Sequence, residues 1–90
     1  MKIYISGSIS KNPNYMEQFA QAEEKLRALG NDVINPARNT GESYKEYIDK
    51  GLEQEMKCDA IYMLPGYTFS TGAMLELQYA KAVGMIIINE

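Results

Sequence analysis

Histidine and tryptophan are missing from this sequence of 90 residues, and cysteine occurs only once, as Cys58. Because histidine is the commonest general base and a frequent metal ligand, its absence argues against a metal site, and we expect neither a metal nor a cofactor. A single cysteine cannot form an internal disulfide. This fits a reducing compartment, and we expect a cytoplasmic protein.

Basic runs and long apolar runs are missing as well. Nine Lys and Arg residues stand against 12 Asp and Glu residues, which gives a net charge of −3. Proteins that bind duplex nucleic acid usually carry a Lys/Arg patch, so we expect no nucleic-acid partner. No stretch approaches the roughly 18 apolar residues of a membrane span, and the N-terminus has no signal-peptide pattern, so we expect no membrane partner. An anionic small ligand fits this charge, since backbone N–H groups bind phosphate without Lys or Arg.

Four short apolar segments alternate with three amphipathic patterns along the chain. The apolar segments predict strands at residues 2–5, 32–34, 60–64 and 85–88. The amphipathic patterns predict helices at residues 15–29, 43–57 and 72–83, with a polar loop at residues 37–42. The order βαβαβαβ predicts one α/β domain, residues 1–90: a small doubly wound parallel sheet of four strands and three helices, flavodoxin-like or Rossmann-like in its three layers.

Residues typical of helix caps mark several of these boundaries. Asn14, with Glu17 three residues later, predicts the start of the first helix, and Gly30 is placed as its C′ glycine. Ser70 or Thr71 is predicted to cap the third helix.

Glu76 falls on the side of the third helix that should face the sheet, in the same arc as Leu77 and Ala80. Burying an unpaired carboxylate is costly, so this side chain should have hydrogen-bond donors, the helix dipole or a ligand as its partner. The pattern fits a nucleophile or base in a pocket, and it also fits a boundary glutamate bent towards solvent.

Ligands of doubly wound sheets bind beyond the carboxyl ends of the strands, where two loops here carry small polar residues. Backbone N–H groups and hydroxyls in such loops can hold phosphate, although neither loop is a GxGxxG or Walker sequence. The same residues also fit an interpretation without a ligand, in which the first loop is an ordinary turn after the first strand and the second is a simple N-cap of the third helix. The candidate ligand-binding residues are Ser6, Gly7, Ser8, Ile9, Asn35, Ser70, Thr71 and Gly72.

Three further features have two interpretations each. Tyr4 interrupts an apolar strand, and it fits either core packing with its hydroxyl in water or a place in the site. Asp59, before the third strand, fits a cap or salt-bridge partner better than a ligand contact. Leu75, Tyr79 and Ala82 form a second apolar face on the third helix, which indicates a homodimer or higher homo-oligomer unless these are scattered surface hydrophobics.

Residues 4–9 (YISGSI), 58–62 (CDAIY) and 70–76 (STGAMLE) resemble the nucleoside 2-deoxyribosyltransferase-like superfamily, which includes the deoxynucleoside 5′-monophosphate N-glycosidases. A short branch of it in phage and bacterial genomes has a Leu-Pro-Gly turn like residues 64–66, and the resemblance covers nearly the whole chain. It implies that Glu76 is the catalytic nucleophile that attacks the anomeric carbon and that Tyr4 orients this carboxylate. It also implies ligand contacts around the sugar, the phosphate and the 5′ group from Gly7, Ser8, Ile9, Ser70 and Gly72.

One position departs from the superfamily pattern. An aspartate that assists the departing base usually lies eight residues before the position aligned with Asp59, and Gly51 stands there in this sequence. Asp49 should point elsewhere on the helix, whereas Glu55, one turn onward, is a candidate substitute.

These observations leave two functions open. Glu76 and Tyr4 favour an enzyme, a hydrolase or deoxyribosyltransferase that acts on the N-glycosidic bond of a nucleoside or nucleotide. Gly51 favours a catalytically inactive protein that sequesters a nucleotide-derived signal, such as a cyclic ADP-ribose-like molecule or a cyclic nucleotide. A structural protein with a vestigial pocket is a third, weaker option.

Overall fold

The computed structural model describes residues 1–40 and 43–90, and in these it contains four strands and three α-helices. The strands are β1 (Lys2–Ser6), β2 (Asp32–Ile34), β3 (Ala60–Met63) and β4 (Ile86–Asn89). The helices are α1 (Tyr15–Ala28), α2 (Tyr44–Glu55) and α3 (Thr71–Val83). Two short 3-10 turns lie at Pro36–Arg38 and Tyr67–Phe69.

The strands form a single parallel sheet in the order β2-β1-β3-β4, which confirms the predicted three-layer α/β fold. Tyr4 of β1 pairs with Ile34 on one side and with Ile61 on the other. The chain winds outward from β1 to β2 and then returns across β1 to β3, so the winding direction reverses between β1 and β3. Such a switch point leaves a crevice at the carboxyl ends of the two strands.

Each face of the sheet has its own core, because neighbouring residues of a strand point to opposite faces. Ile3 and Ile5 of β1 face α1, whereas Tyr4 faces α3. The buried cluster on the α1 face consists of Ile3, Ile5, Phe19, Ala22, Leu26, Val33, Ala37, Ala60, Tyr62 and Leu64. The cluster on the α3 face consists of Tyr4, Ile61, Met63, Ala73, Leu77 and Ala80.

The helix caps follow the sequence signals with one exception. The hydroxyls of Ser43 and Ser70 accept hydrogen bonds from the backbone N–H three residues later, and Gly30 has a φ of 91° after α1. Asn14 occupies the N-cap position of α1 as predicted, but its side chain makes no cap hydrogen bond. Instead the side-chain oxygen of Asn12 accepts from the backbone N–H of Asn14 at 3.0 Å, which organises the turn one step earlier.

Residues 37 and 38, predicted from the sequence to lie in a polar loop at residues 37–42, belong to a 3-10 turn, and this corrects the prediction for them. Pro36–Arg38 form a 3-10 turn because the side-chain oxygen of Asn35 accepts a hydrogen bond from the N–H of Ala37 at 2.9 Å. Residues 41 and 42 lie outside the described residues. Within the described ranges, no helix has the length and apolar character needed to cross a membrane.

Candidate active site

A cavity of about 430 Å³ opens beyond the carboxyl ends of β1 and β3, at the switch point of the sheet. Its walls come from the loop after β1, the first turns of α2 and α3, and the 3-10 turn Tyr67–Phe69. Tyr44, Tyr47 and Phe69 give it aromatic walls, and Lys11 stands at its edge. A concave, largely apolar cavity with a few polar groups at one end has the form of a small-molecule site.

The carboxylate of Glu76 lies at the inner end of this cavity and is held by two hydroxyl groups. The phenol of Tyr4 donates to Oε2 at 2.6 Å, and the hydroxyl of Ser6 donates to Oε1 at 2.7 Å. Glu76 is 8% exposed, so its side chain turns inward and not towards bulk solvent.

This arrangement follows from two simple periodicities. Tyr4 and Ser6 are two residues apart in β1, so both point to the face of the sheet that α3 covers. Glu76 follows the Ser70 cap and shares the inner face of α3 with Ala73 and Leu77. The strand and the helix thus bring both donors to the carboxylate.

The surroundings of Glu76 shift the ionisation of both partners. Burial raises the pKa of Glu76, and the hydrogen bonds from Tyr4 and Ser6 offset only part of that rise. Burial, reinforced by the charge of Glu76, raises the pKa of Tyr4 well above its usual range. The phenol therefore keeps its proton at physiological pH and remains a permanent donor to Glu76.

Gly51 lies against this pair. A Cβ atom built on Gly51 would come within 2.8 Å of both Tyr4 OH and Glu76 Oε2, so helix α2 presents bare backbone to the carboxylate. Glycine inside a helix costs up to about 1 kcal/mol relative to alanine. The close approach of the backbone explains why the chain has glycine at this position. A side-chain acid here would displace Tyr4 and Glu76.

Glu55, the other candidate for the missing acid, lies deeper in the protein. It is fully buried at the end of α2 and does not line the cavity. Among the described residues, neither of its carboxyl oxygens has a hydrogen-bond partner.

Most of the predicted site residues come together around the cavity. Lining positions are held by Tyr4, Gly7, Ile9, Ser70, Thr71, Gly72 and Glu76, and Ser6 reaches the site through its hydrogen bond to Glu76. Ser8 is buried and lines a second, neighbouring pocket, and no partner for its hydroxyl lies in the described part of the chain. Asn35 is not a lining residue, and its amide donates to Glu23 at 3.2 Å. Asp59 accepts from the backbone N–H of Lys2 at 3.0 Å, away from the cavity.

The aromatic part of the cavity was missing from the sequence predictions. Tyr44, Tyr47 and Ile48 follow one another at three- and one-residue steps in the first turns of α2 and share a helix face, which is a signal that the sequence contains. Phe69 and Lys11 lie outside the helices and strands, where no periodicity predicts their position. Only the packing of three elements around the switch point reveals these residues as neighbours.

Comparison with known proteins identifies the family of this chain and a solved structure with a similar fold. The sequence profile described as "Domain of unknown function (DUF4406)" matches residues 1–89. No curated protein shows a significant match. The structure is similar to that of a 2-deoxyribosyltransferase from the psychrotolerant bacterium Bacillus psychrosaccharolyticus, with a TM-score of 0.79 and 23% sequence identity over 99% of this chain and 71% of the other. This likeness confirms the expected nucleoside 2-deoxyribosyltransferase-like architecture at the level of the fold.

Proposed function

This chain belongs to the DUF4406 family, and on that premise we propose that it binds a nucleoside or nucleotide in the cavity and acts on its N-glycosidic bond, with Glu76 as the nucleophile. The observation that carries the proposal is the buried carboxylate of Glu76, held at the cavity by Tyr4 and Ser6. The similar solved structure is described as a biocatalyst for the synthesis of nucleosides, which supports the same class of ligand.

The proposed reaction has two steps. A carboxylate oxygen of Glu76 bonds to the anomeric carbon, the carbon–nitrogen bond breaks, and the base leaves with the bonding electrons and takes up a proton. Water, or a second base, then attacks the same carbon, gives up a proton and restores the carboxylate. The hydrogen bonds from Tyr4 and Ser6 orient the carboxylate, and each oxygen keeps a lone pair for attack.

The departing base needs a proton, and the lining residues limit its source. Among the described residues that line the cavity, Glu76 is the one carboxylate, and the titratable side chains that could donate a proton are Lys11, Tyr4, Tyr44 and Tyr47. Tyr4 already donates its proton to the hydrogen bond with Glu76. Burial, followed by the charge of Glu76, raises the pKa of Tyr47 to about 12, which makes it a weak acid. We therefore expect slow turnover, with Lys11 or solvent protonating the base.

The remaining walls suit the other parts of a nucleotide. The aromatic rings of Tyr44 and Phe69 are largely exposed at the mouth and can stack on a base. Thr71 and Gly72 begin α3 after the Ser70 cap, and their backbone N–H groups, together with the helix dipole, favour an anionic 5′ group.

The test is incubation of the protein with the four deoxynucleoside 5′-monophosphates, followed by chromatography for released base. We expect slow release that Glu76→Ala abolishes while the circular dichroism spectrum is retained. Glu24→Ala, at an exposed position of α1, is the matched control and should keep the activity. Turnover that survives Glu76→Ala would refute the mechanism.

Sequestration of an intact nucleotide-derived signal is the second candidate, and the close contact at Gly51 favours it, because no side-chain acid fits there. Incubation with a cyclic nucleotide or a cyclic ADP-ribose-like molecule distinguishes the two functions. Unmodified ligand recovered after heat denaturation, together with no base release from any monophosphate, would indicate sequestration.

The proposal includes a homodimer or a higher homo-oligomer. Leu75 on α3 is 46% exposed, and Tyr79 and Ala82 extend the same apolar face. Covering this face would remove apolar surface from water. Light scattering should give at least twice the 10.2 kDa mass of the chain, and Leu75→Lys should restore a monomer.

A further inference from the structure

The proposed reaction does not use Glu55, a second buried acid close to the site. Glu55 ends α2 with no exposed surface, and neither carboxyl oxygen has a hydrogen-bond partner in the described part of the chain. A charged carboxylate without donors is rarely tolerated in a protein interior, whereas a protonated one is far less costly. The location of Glu55 therefore favours its neutral form.

The geometry of α2 turns this acid towards the nucleophile. Gly51 and Glu55 are the two buried residues of α2 and lie four positions apart on one face of it. Because side chains of a helix lean towards its N-terminus, we expect the carboxyl of Glu55 to lie over the turn of Gly51. At that turn the bare backbone of Gly51 lies against Tyr4 OH and Glu76 Oε2. The acidic groups of Tyr4 on β1, Glu55 on α2 and Glu76 on α3 thus lie in one buried region.

The two carboxyls of this region differ in their donors. Glu76 receives hydrogen bonds from Tyr4 and Ser6, and these favour its charged form. Glu55 receives none among the described residues. Because two neighbouring carboxylates in a low-dielectric region resist simultaneous ionisation, the first proton leaves from Glu76 and the second stays on Glu55.

We infer that Glu55 is a positioning residue for Glu76, a buried acid that keeps its proton and so leaves Glu76 as the single negative charge beside the cavity. Its role in turnover rests on the proposed function, whereas its protonation state does not. Burial, followed by the charge of Glu76, raises the pKa of Glu55 to about 8, in agreement with this role. The other titratable groups that interact with Glu55 are Tyr4 on β1 and Cys58 after α2, and burial raises the pKa of both.

Carboxyl-carbon NMR of glutamate-labelled protein tests the inference directly. One carboxyl should titrate near pH 8, the signal should vanish in Glu55→Gln, and it should move to lower pH in Glu76→Gln, where the neighbouring charge is gone. Glu53→Gln, an exposed position of the same helix, is the matched control and should leave the titration unchanged. A spectrum in which every carboxyl titrates in the usual acidic range, or a titration unaffected by Glu76→Gln, would overturn the inference even if Glu55→Gln fails to fold.

Turnover gives the second readout. Base release by the wild-type protein should fall as the pH rises past about 8, whereas Glu55→Gln, which cannot ionise, should stay active to higher pH. A Glu55→Gln profile that matches the wild-type profile would overturn the positioning role. If no nucleotide is cleaved, the proposed function fails, and the NMR titration still decides the state of Glu55.

Discussion

Two of the three glutamates that are buried among the described residues, one on each face of the sheet, have opposite surroundings. Glu23 of α1 is 5% exposed and Glu76 of α3 is 8% exposed, so burial does not distinguish them. Two arginines bind Glu23, Arg27 at 2.8 Å and Arg38 at 2.7 Å. Glu76 has only hydroxyl donors and lies beside a cavity.

The two environments move the pKa in opposite directions. Burial alone would raise the pKa of Glu23, but hydrogen bonds from Arg27 and Asn35 and the charge of Arg38 lower it overall. Burial dominates at Glu76, and its pKa is raised. A carboxylate neutralised by cations stabilises the fold, whereas one kept reactive in a cavity tends to cost stability.

Replacing each glutamate by the isosteric glutamine gives the largest contrast. Glu76→Gln should lower turnover by at least about 10³-fold, because a nucleophile cannot be replaced by an amide. The same variant should raise the free energy of unfolding at neutral pH, because the cost of a buried charge disappears. Glu23→Gln should keep turnover but lower the free energy of unfolding by about 1–3 kcal/mol, because the charged hydrogen bonds to arginine are weakened. Urea unfolding and base release measure both quantities, and equal stability losses in the two variants would contradict the contrast.

A methyl group at Gly51 should disturb the Glu76 face alone. Its Cβ would lie 2.8 Å from Tyr4 OH and Glu76 Oε2, so both side-chain ends must shift. Gly51→Ala should therefore lower turnover by about 10–10²-fold, since misplacement by about 1 Å has such an effect. The free energy of unfolding should change less than turnover does, because two effects oppose each other. Alanine gains up to about 1 kcal/mol in helix propensity, and overpacking costs about 1–3 kcal/mol. Ala20→Gly, at an exposed position of α1, calibrates the propensity difference, and unchanged turnover in Gly51→Ala would argue against the packing interpretation.

The sequence predicts Glu76 and misses Glu23 for a physical reason. Both residues lie within the apolar stripe of a helix, Glu23 next to Ala22 and one turn after Phe19. Arg38, which neutralises Glu23, belongs to a 3-10 turn at the end of β2. The position of that turn depends on how the loop folds back on α1, and no spacing in the sequence encodes this.

The strands and helices could be predicted to within one or two residues, because each depends on local periodicity and caps. The surroundings of Gly51 could not, because they depend on how closely α2 packs on β1 and α3. The sequence shows a glycine where an acid was expected, and only the packing shows that backbone fills that place. The burial of Glu55 is likewise a consequence of tertiary packing and not of a local pattern.

The pH dependence of stability should have opposite signs at the two glutamates. An ordinary glutamate has a pKa of 4.5, and that of Glu23 is lowered, so its stabilisation is present above this value and lost as the pH falls. The pKa of Glu76 is raised, so its stabilisation is present below 4.5 and lost as the pH rises through the folded-state pKa. Melting temperatures between about pH 3 and pH 8 measure both trends. Glu23→Gln should flatten the acidic side of the wild-type curve and Glu76→Gln the side towards neutral pH, and curves flattened on the same side would refute the assigned shifts.

Added salt should have the smallest effect on stability, and that effect should differ between the Glu23 site and the Glu76 site. The side chains of Arg27 and Arg38 are 49% and 66% exposed, so added ions reach the cations that hold Glu23. The hydroxyl donors of Glu76 are buried and uncharged, so ions have little to screen there. Raising the salt from about 0.05 to about 0.5 M should lower the stability difference between wild type and Glu23→Gln by a few tenths of a kcal/mol, about the size of a surface ion pair. The difference between wild type and Glu76→Gln should stay constant in the same titration. An equal salt response in both pairs would mean that the charge of Glu76 is also neutralised by mobile cations, and the contrast between a paired and an unpaired buried carboxylate would then fail.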